Sequence, residues 1–327
     1  MRVVVHGQVS ELGRSLIGDE LRQPDFEVTF IEADSPDRWA ALAAADALIV
    51  DHAPMTKSDL SCMPNLRLIQ RLGRGPFDVS AEVAAAQALG IGYAHNRTGF
   101  AAAATAEHTV MMMLALLRGL PGTHEYVRTG EWRGDNRFDA ATRQLSGATV
   151  GLIGMGRIAR QVARLLGAFR TRTLYWSRHR LSPADEGDLG VSYLVLPELA
   201  ARCDIVSLHV RADKTDAFRF GVAEFACMRP DAYFINTSRG SLVDESALAT
   251  ALRRRLLAGA ALDVFDTEPL PADSALRELN GVILTPHIAG RTREVAEAYY
   301  RSACANLGRM QRGEALEDLI SPDKRGT

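Results

Sequence analysis

Ala148-Thr149-Val150-Gly151-Leu152-Ile153-Gly154-Met155-Gly156-Arg157-Ile158-Ala159-Arg160 is the stretch from which the rest of the chain can be read. An apolar run, Val150 to Ile153, enters a glycine turn, and a helical pattern leaves it. The turn Gly154-x-Gly156-x-x-Ala159 is a variant of the dinucleotide-binding fingerprint. Gly154 permits the tight turn from strand to helix, and Gly156 lets a pyrophosphate approach the backbone. Ala159 takes the place of the third glycine, where helix and strand pack closely and a methyl is tolerated. A helix starting at Arg157 aims its free N–H groups and positive dipole end at the phosphates. Gly154, Gly156, Arg157 and Ile158 are therefore candidate cofactor contacts. A plain strand-to-helix connection has the same outward form; the flanking strand and helix give the motif its weight.

The chain has 327 residues, enough for about two domains, and a formal net charge of −2. That balance leaves no electrostatic footprint for nucleic acid or an anionic membrane. Lysine occurs only at Lys57, Lys214 and Lys324 against a large excess of arginine, so a single arginine carries little functional signal here. The four cysteines, Cys62, Cys203, Cys227 and Cys304, are scattered without metal or disulfide spacing, which points to a reducing compartment and a cytoplasmic protein. No metal site is expected. The chain opens directly on a strand, Arg2 to His6, without a charged-then-apolar leader. The longest apolar helical run, Thr109 to Leu117, reads as too short to cross a bilayer.

From Met1 to about Asn96, strand candidates (Val3–His6, Val28–Ile31, Ala47–Val50, Leu66–Arg71, Ile91–Ala94) alternate with helical patterns near Ser10–Leu21, Asp37–Ala45 and Ala81–Leu89. Alternation of this kind implies a parallel sheet covered by helices. Gly73-Arg74-Gly75 follows the fourth strand, at an edge where open α/β sheets bind ligands. Ala101 to Arg118 reads as a long helix stopped by Gly119 and Pro121, its Met111, Met112 and Met113 suited to core or dimer packing. Gly130 to Gln144 reads as an irregular excursion. After the fingerprint, strands are expected at Thr173–Trp176, Ile205–Val210, Ala232–Thr237, Gly259–Val264 and Val282–Thr285, making six with the first. Thr292 to Gly313 is a long amphipathic helix expected to pack back on the first domain.

Three strand ends in this second half carry chemically useful groups. They are Asn236-Thr237-Ser238-Arg239-Gly240, Leu262-Asp263-Val264-Phe265-Asp266-Thr267-Glu268-Pro269 and Thr285-Pro286-His287-Ile288-Ala289-Gly290, all expected at the edge that holds the glycine turn. Hydride transfer to a 2-oxo acid needs a polarised carbonyl, a held carboxylate and a proton donor. Arg239 suits the first two tasks through its planar, permanently charged fork. His287 suits the third. Glu268 is the candidate carboxylate beside the imidazole. Asp263 could accept a nicotinamide carboxamide N–H, and Thr237 stands at the same edge as a cofactor contact. Each has a plainer alternative as a surface or loop residue; their joint placement at neighbouring strand ends is what singles them out.

With these blocks in view, the chain resembles the D-isomer-specific 2-hydroxyacid dehydrogenases, the group that includes D-lactate, phosphoglycerate and glyoxylate/hydroxypyruvate enzymes. The resemblance spans nearly the whole chain, through Gly73-Arg74-Gly75, Thr105-Ala106-Glu107-His108-Thr109, the fingerprint, Asn236 to Glu245, Gly259 to Pro269 and Thr285 to Thr292, in that order. It implies two doubly wound parallel-sheet α/β domains. A Rossmann nucleotide domain, residues 99–291, would be inserted into a flavodoxin-like substrate domain of residues 1–98 and 292–327. It implies Arg239, Glu268 and His287 as substrate clamp, histidine partner and acid/base, Asp263 as a nicotinamide contact, and backbone N–H groups of Arg74 and Gly75 as a carboxylate cradle. It also implies an active site between two closing domains, and a homodimer.

The chain departs from the family pattern at several points. Ser177, followed by Arg178, His179 and Arg180, stands where NAD-using members carry an acid for the ribose 2′-hydroxyl, so NADP is favoured over NAD, with Ser177, Arg178 and Arg180 as contacts. Pro76-Phe77-Asp78 carries its aspartate one place late, Ala101 replaces a common asparagine, and His209-Val210-Arg211-Ala212 lacks the usual proline. The Arg74 side chain either adds a second positive charge for a phosphorylated or dicarboxylic substrate or points to solvent. The expected function is NAD(P)-dependent interconversion of a small 2-oxo acid and its D-2-hydroxy acid. Two alternatives remain at this point, a nucleotide-sensing corepressor on the same scaffold and a phosphite-type dehydrogenase.

Overall fold

In the computed structural model, residues 1–50, 55–72, 79–96, 99–132, 137–211 and 218–320 are described, and the chain divides into two units. Unit 1 is Met1–Phe100 with Thr292–Thr327; unit 2 is Ala101–Arg291. Arg74, Gly75, the Pro76-Phe77-Asp78 departure and Ala212 lie outside the described residues.

Unit 1 begins with β1 (Arg2–His6), α1 (Glu11–Glu20), β2 (Glu27–Ile31), α2 (Arg38–Ala43), β3 (Ala47–Val50), α3 (Lys57–Ser61), β4 (Leu68–Arg71), α4 (Ser80–Ala88) and β5 (Gly92–His95). The strands pair in parallel in the order β2-β1-β3-β4-β5, the flavodoxin-like arrangement. β1, β3 and β4 are almost wholly buried, as short apolar runs covered on both faces must be. One face packs Val3, Val5, Ile17 and Ile49 with Tyr300 and Leu307 from the C-terminal part of the chain. The other packs Val4, Leu48, Val50, Leu60 and Tyr93. One charged pair lies inside this core. Arg71 donates to Glu82 at 2.6 and 2.9 Å and to the Tyr93 hydroxyl at 2.7 Å, with Arg71 only 2% exposed.

Unit 2 runs from α5 (Phe100–Leu117) through α6 (Leu120–Arg128), α7 (Arg137–Ala141), β6 (Thr149–Ile153), α8 (Arg157–Ala168), β7 (Arg172–Trp176), α9 (Pro183–Leu189), β8 (Val191–Tyr193), α10 (Leu196–Arg202), β9 (Ile205–Leu208), α11 (Val222–Cys227), β10 (Tyr233–Asn236), α12 (Glu245–Arg253), β11 (Gly259–Leu262) and β12 (Val282–Leu284). The chain then returns to unit 1 as α13 (Arg293–Arg312), started by the Thr292 side chain and stopped at Gly313 (φ 70°). A Cβ at Gly13 of α1 would overlap the Tyr300 ring of α13, so these two helices meet at van der Waals limits.

The second sheet, order β12-β11-β10-β9-β6-β7-β8, is parallel throughout. Its strand order reverses between β6 and β9, the crevice where open α/β sheets take their ligands. Register places Ile153, Leu208, Asn236, Leu262 and Leu284 side by side, so the loops after β6, β9, β10, β11 and β12 leave from one edge.

Three details differ from the sequence reading. β8 is an additional strand beside β7; three residues are too few to show a period of two. Gly119, left-handed at φ 55°, ends α5 but also opens α6, which has Pro121 in its first turn, so the helix is broken rather than stopped. The excursion from Gly130 to Gln144 contains α7. In addition α5, at 18 residues, is long and apolar enough by length and composition to cross a membrane, contrary to the estimate from Thr109 to Leu117 alone. Its Ala106, Val110, Met112, Met113 and Leu116 are buried in the unit 2 core, whereas Met111 is exposed.

Candidate functional site

The glycine turn after β6 has the form the fingerprint requires. Gly154 sits at φ 93°, and a Cβ there would come within 2.7–2.9 Å of the His209 carbonyl and the Val210 nitrogen. Only glycine lets the turn lie against the end of β9. Gly154 N donates to Trp176 O and His209 N to Ile153 O, both at 2.7 Å, which fixes the turn to its two neighbours. Gly156 precedes the first residue of α8, and the space where a Cβ would stand is open. Arg157 is exposed, Ile158 half-buried and Ala159 fully buried, so the third-glycine position is a packing site. An open, side-chain-free approach to the N–H groups at a helix start fits a pyrophosphate.

At the end of β7, Ser177 donates to His179 O at 2.5 Å, closing its own turn. Arg178 is exposed. Arg180 is engaged by Glu186 through two bonds of 2.8 and 3.0 Å. The Arg180 hydrogen bond, with a second from the Tyr175 hydroxyl, holds the Glu186 carboxyl down to about 2. The sequence reading counts Arg180 as a cation available to a 2′-phosphate. Its fork is already taken by a carboxylate six residues on.

The three strand ends converge by close packing. Gly240 follows Arg239, and a Cβ on it would overlap the Phe265 carbonyl and the Asp266 nitrogen. The loop after β10 therefore rests directly on the loop after β11. Asp266 N donates to Glu245 Oε1 at 2.7 Å, a second stitch between them. Asn236, at the end of β10, holds the Arg239 loop from below: its amide donates to Arg239 O at 2.9 Å, and its oxygen accepts from Ser238 N at 2.9 Å. Arg239 is exposed, and its guanidinium donates to the adjacent Ser238 O at 2.7 Å.

Glu268 is anchored by Phe265 N, which donates to Oε1 at 3.0 Å. Its other oxygen meets His287 Nδ1 at 2.6 Å. The side chains are 39% exposed for His287 and 25% for Glu268, so the pair opens to solvent on one side. His287 has φ 54°, a left-handed conformation uncommon for a residue with a side chain. Its N–H is held by Asp263 O at 2.8 Å and Thr285 O at 3.0 Å.

Asp263, expected as a nicotinamide contact, also has structural partners. It is 1% exposed, and its carboxylate accepts from Ile288 N at 2.9 Å, Ala289 N at 2.8 Å and the Thr285 hydroxyl at 2.6 Å. The side chain thus ties down the loop that carries His287. Thr237, expected as a cofactor contact, is buried with its hydroxyl 2.9 Å from that of Thr109 on α5. Both roles escape a reading along the chain because the partners are 22 to 128 residues away. Among the described residues, no group of three or more His, Cys, Asp or Glu side chains could hold a metal ion.

Comparison with known proteins accords with this geometry. The family described as D-isomer specific 2-hydroxyacid dehydrogenase, NAD binding domain, matches residues 110–289. A glyoxylate reductase of Aeropyrum pernix is 34% identical over 309 residues, covering 93% of this chain and 89% of that protein. A protein from Thermus thermophilus superposes with a TM-score of 0.84 at 30% identity, covering 98% of this chain and all of the other. A 2-hydroxyacid dehydrogenase of Ketogulonicigenium vulgare gives a TM-score of 0.83 at 27% identity, with 98% of each chain covered. The family match takes in the glycine turn and all three strand ends, and the likeness to the reductase extends over nearly the whole length: the chain belongs to the D-isomer specific 2-hydroxyacid dehydrogenases.

Proposed function

We propose that this protein reduces small 2-oxo acids to D-2-hydroxy acids with NADPH in preference to NADH, with His287 as the proton donor, Glu268 as its partner and Arg239 as the substrate clamp. The observation that carries the reading is the 2.6 Å pair between His287 and Glu268, partly open to solvent, at the sheet edge that holds the glycine turn. A reduced nicotinamide, when bound, supplies the hydride to the carbonyl carbon. The protein's own residues supply the rest. Glu268 accepts the Nδ1 proton, which fixes the imidazole tautomer and leaves Nε2 to carry a proton to the carbonyl oxygen. The Phe265 N–H keeps the carboxylate in that position. The Arg239 fork grips the substrate carboxylate and stabilises charge on the oxygen as the C–O bond polarises. In the oxidative direction the same imidazole takes the hydroxyl proton.

A panel of glyoxylate, hydroxypyruvate and phenylpyruvate, assayed with NADPH and NADH side by side and with phosphite as a control donor, tests the reaction class and the cofactor together. Turnover of at least one 2-oxo acid is expected. Its absence, with phosphite-dependent reduction of NAD, would overturn the reading. The NADP preference rests on Ser177 and Arg178 in place of a carboxylate. R178A should raise the KM for NADPH about tenfold or more, as loss of a charged hydrogen bond does. Equal KM values for NADPH and NADH in the wild type would remove the preference.

The protein is also proposed to be a cytoplasmic homodimer. Met111, Leu120, Val127 and Trp132 of unit 2 all stand exposed on or beside α5 and α6, an apolar surface that a second copy would cover. The four thiols are unpaired, as in a reducing compartment. Sedimentation equilibrium should give twice the chain mass, and a purely monomeric profile at micromolar concentration would exclude the dimer.

A further inference from the structure

His108 is not placed in any chemical step above, yet it stands directly behind the His287 loop. It lies on α5 one residue from Thr109, and its side chain is 13% exposed. Its Nε2 is 3.2 Å from the Thr285 hydroxyl and 3.7 Å from Asp263 Oδ1. The Thr285 hydroxyl has a single proton, and at 2.6 Å it gives that proton to the Asp263 carboxylate. The contact with His108 must then run the other way, with Nε2–H donating to the Thr285 oxygen. The result is a directed chain from His108 through Thr285 to Asp263.

That chain ends on the groups that shape the proton donor. Asp263 and Thr285 both accept the His287 N–H through their backbone carbonyls, and the Asp263 carboxylate binds the next two amides, Ile288 and Ala289. These bonds hold His287 at φ 54°, a conformation that would relax if the loop were free to move. The same helix face supports the neighbouring loops. Thr105, His108 and Thr109 are spaced three and four residues apart, so they share one face of α5. Thr109 meets Thr237, just before the Arg239 loop, and a Cβ on Gly290 would press on Ala101 and the Thr105 hydroxyl.

We propose that His108 is a positioning residue: through the Thr285 hydroxyl and the Asp263 carboxylate it fixes the left-handed turn that presents His287 to Glu268. This inference rests on the reading of His287 as the proton donor. His108 acts through that loop and not on the substrate, so its removal should change kcat rather than binding.

The test compares H108L, H108Q, T285V, T285S and the double variant H108L/T285V. H108L should lower kcat about tenfold, the scale of one lost hydrogen bond acting on the geometry of the reacting group, with the substrate KM and the NADPH Kd within about twofold of wild type. H108Q, whose amide can still donate, and T285S, which keeps the hydroxyl, should recover most of that loss. The double variant should be no worse than the poorer single one, because both break the same chain. Unchanged kcat in H108L, a fall in kcat matched by an equal loss of NADPH affinity, or losses that multiply in the double variant would each overturn the proposal.

A second readout needs no turnover. In protein carrying labelled histidine, the His287 ring signal is assigned by its loss in H287A. It should be single and sharp in the wild type and in H108Q, and broadened or doubled in H108L. A ring signal unaltered in H108L would also overturn the proposal. If the wild type turned over no 2-oxo acid, the proposed function would fall while this measurement still decided whether His108 holds the loop.

Discussion

Two acid–base pairs in this protein share one contact distance and differ in everything around it. Arg71 and Glu82 meet at 2.6 Å in unit 1, and His287 and Glu268 meet at 2.6 Å in unit 2. The side chains of the first pair are 2% and 4% exposed, those of the second 39% and 25%. In unit 1 the Tyr93 hydroxyl supplies a further partner, and all of these groups are sealed in the core. Burial pushes the Glu82 carboxyl up while Arg71 draws it down, the tension expected of charges removed from water. Such a pair has no route to a substrate. In unit 2 the imidazole is held at Nδ1 and remains partly open to solvent, as the proposed proton donor requires. Distance alone therefore does not separate a structural pair from a chemical one; access to solvent and the hold on the backbone do.

Breaking the two pairs should accordingly produce losses of different kinds. H287A should reduce kcat/KM about a hundred- to ten-thousandfold, the range of general acid catalysis, while the melting temperature stays near that of wild type. Steady-state kinetics and calorimetry together check this; a matching loss of stability would make the exposed pair structural after all. R71M should do the reverse, destabilising the fold by about 3–5 kcal/mol by stranding Glu82 without its partner. Denaturant unfolding measures it, and R71M/E82L, which removes both charges, should recover much of the loss. E268Q comes next: the amide keeps the contact to Phe265 N but loses the charge beside the imidazole, so kcat should fall about tenfold to a hundredfold, as when one charged hydrogen-bond partner is removed, with stability unchanged.

The smallest effect concerns His6, which is fully buried at the end of β1 with both ring nitrogens unpaired. Burial, then the Arg38 guanidinium, holds this imidazole below its ordinary 6.5, with Asp59 opposing. As pH falls through that value, the unfolded chain takes a proton that the folded chain refuses. The stability is complete above pH 6.5 and declines below it. The melting temperature of the wild type should therefore drop more between pH 7 and pH 5 than that of H6L. Parallel curves for the two proteins would show that His6 contributes nothing to the acid sensitivity.

What the chain reveals in one dimension and what it withholds follow the range of the interactions. The strands of both sheets are legible because buried parallel strands are continuous apolar runs, and Gly154 because a left-handed turn between strand and helix leaves few other choices. The nearness of Glu268 and His287 is legible from chemistry and family likeness, though their 2.6 Å contact is not. The bonds that the Asp263 carboxylate accepts from Ile288 and Ala289 are not legible along the chain, because they come from the neighbouring strand's loop and leave no mark in spacing. The pairing of Arg180 with Glu186, on the next helix, is likewise hidden from a charge tally. His108 stands in a family block with no visible role, since its partner Thr285 is 177 residues away.

The seat of Gly240 against Phe265 sets a boundary on how this enzyme can diversify. Loops around a pocket can drift in length and polarity as specificity changes, but at this point two backbones touch with no room for a single carbon between them. Any replacement would lever the guanidinium loop away from the carboxylate loop before a new side chain met a substrate. In a library randomised across 238–242 and selected for turnover, position 240 should stay fixed along with the proposed clamp Arg239, while 238, 241 and 242 vary.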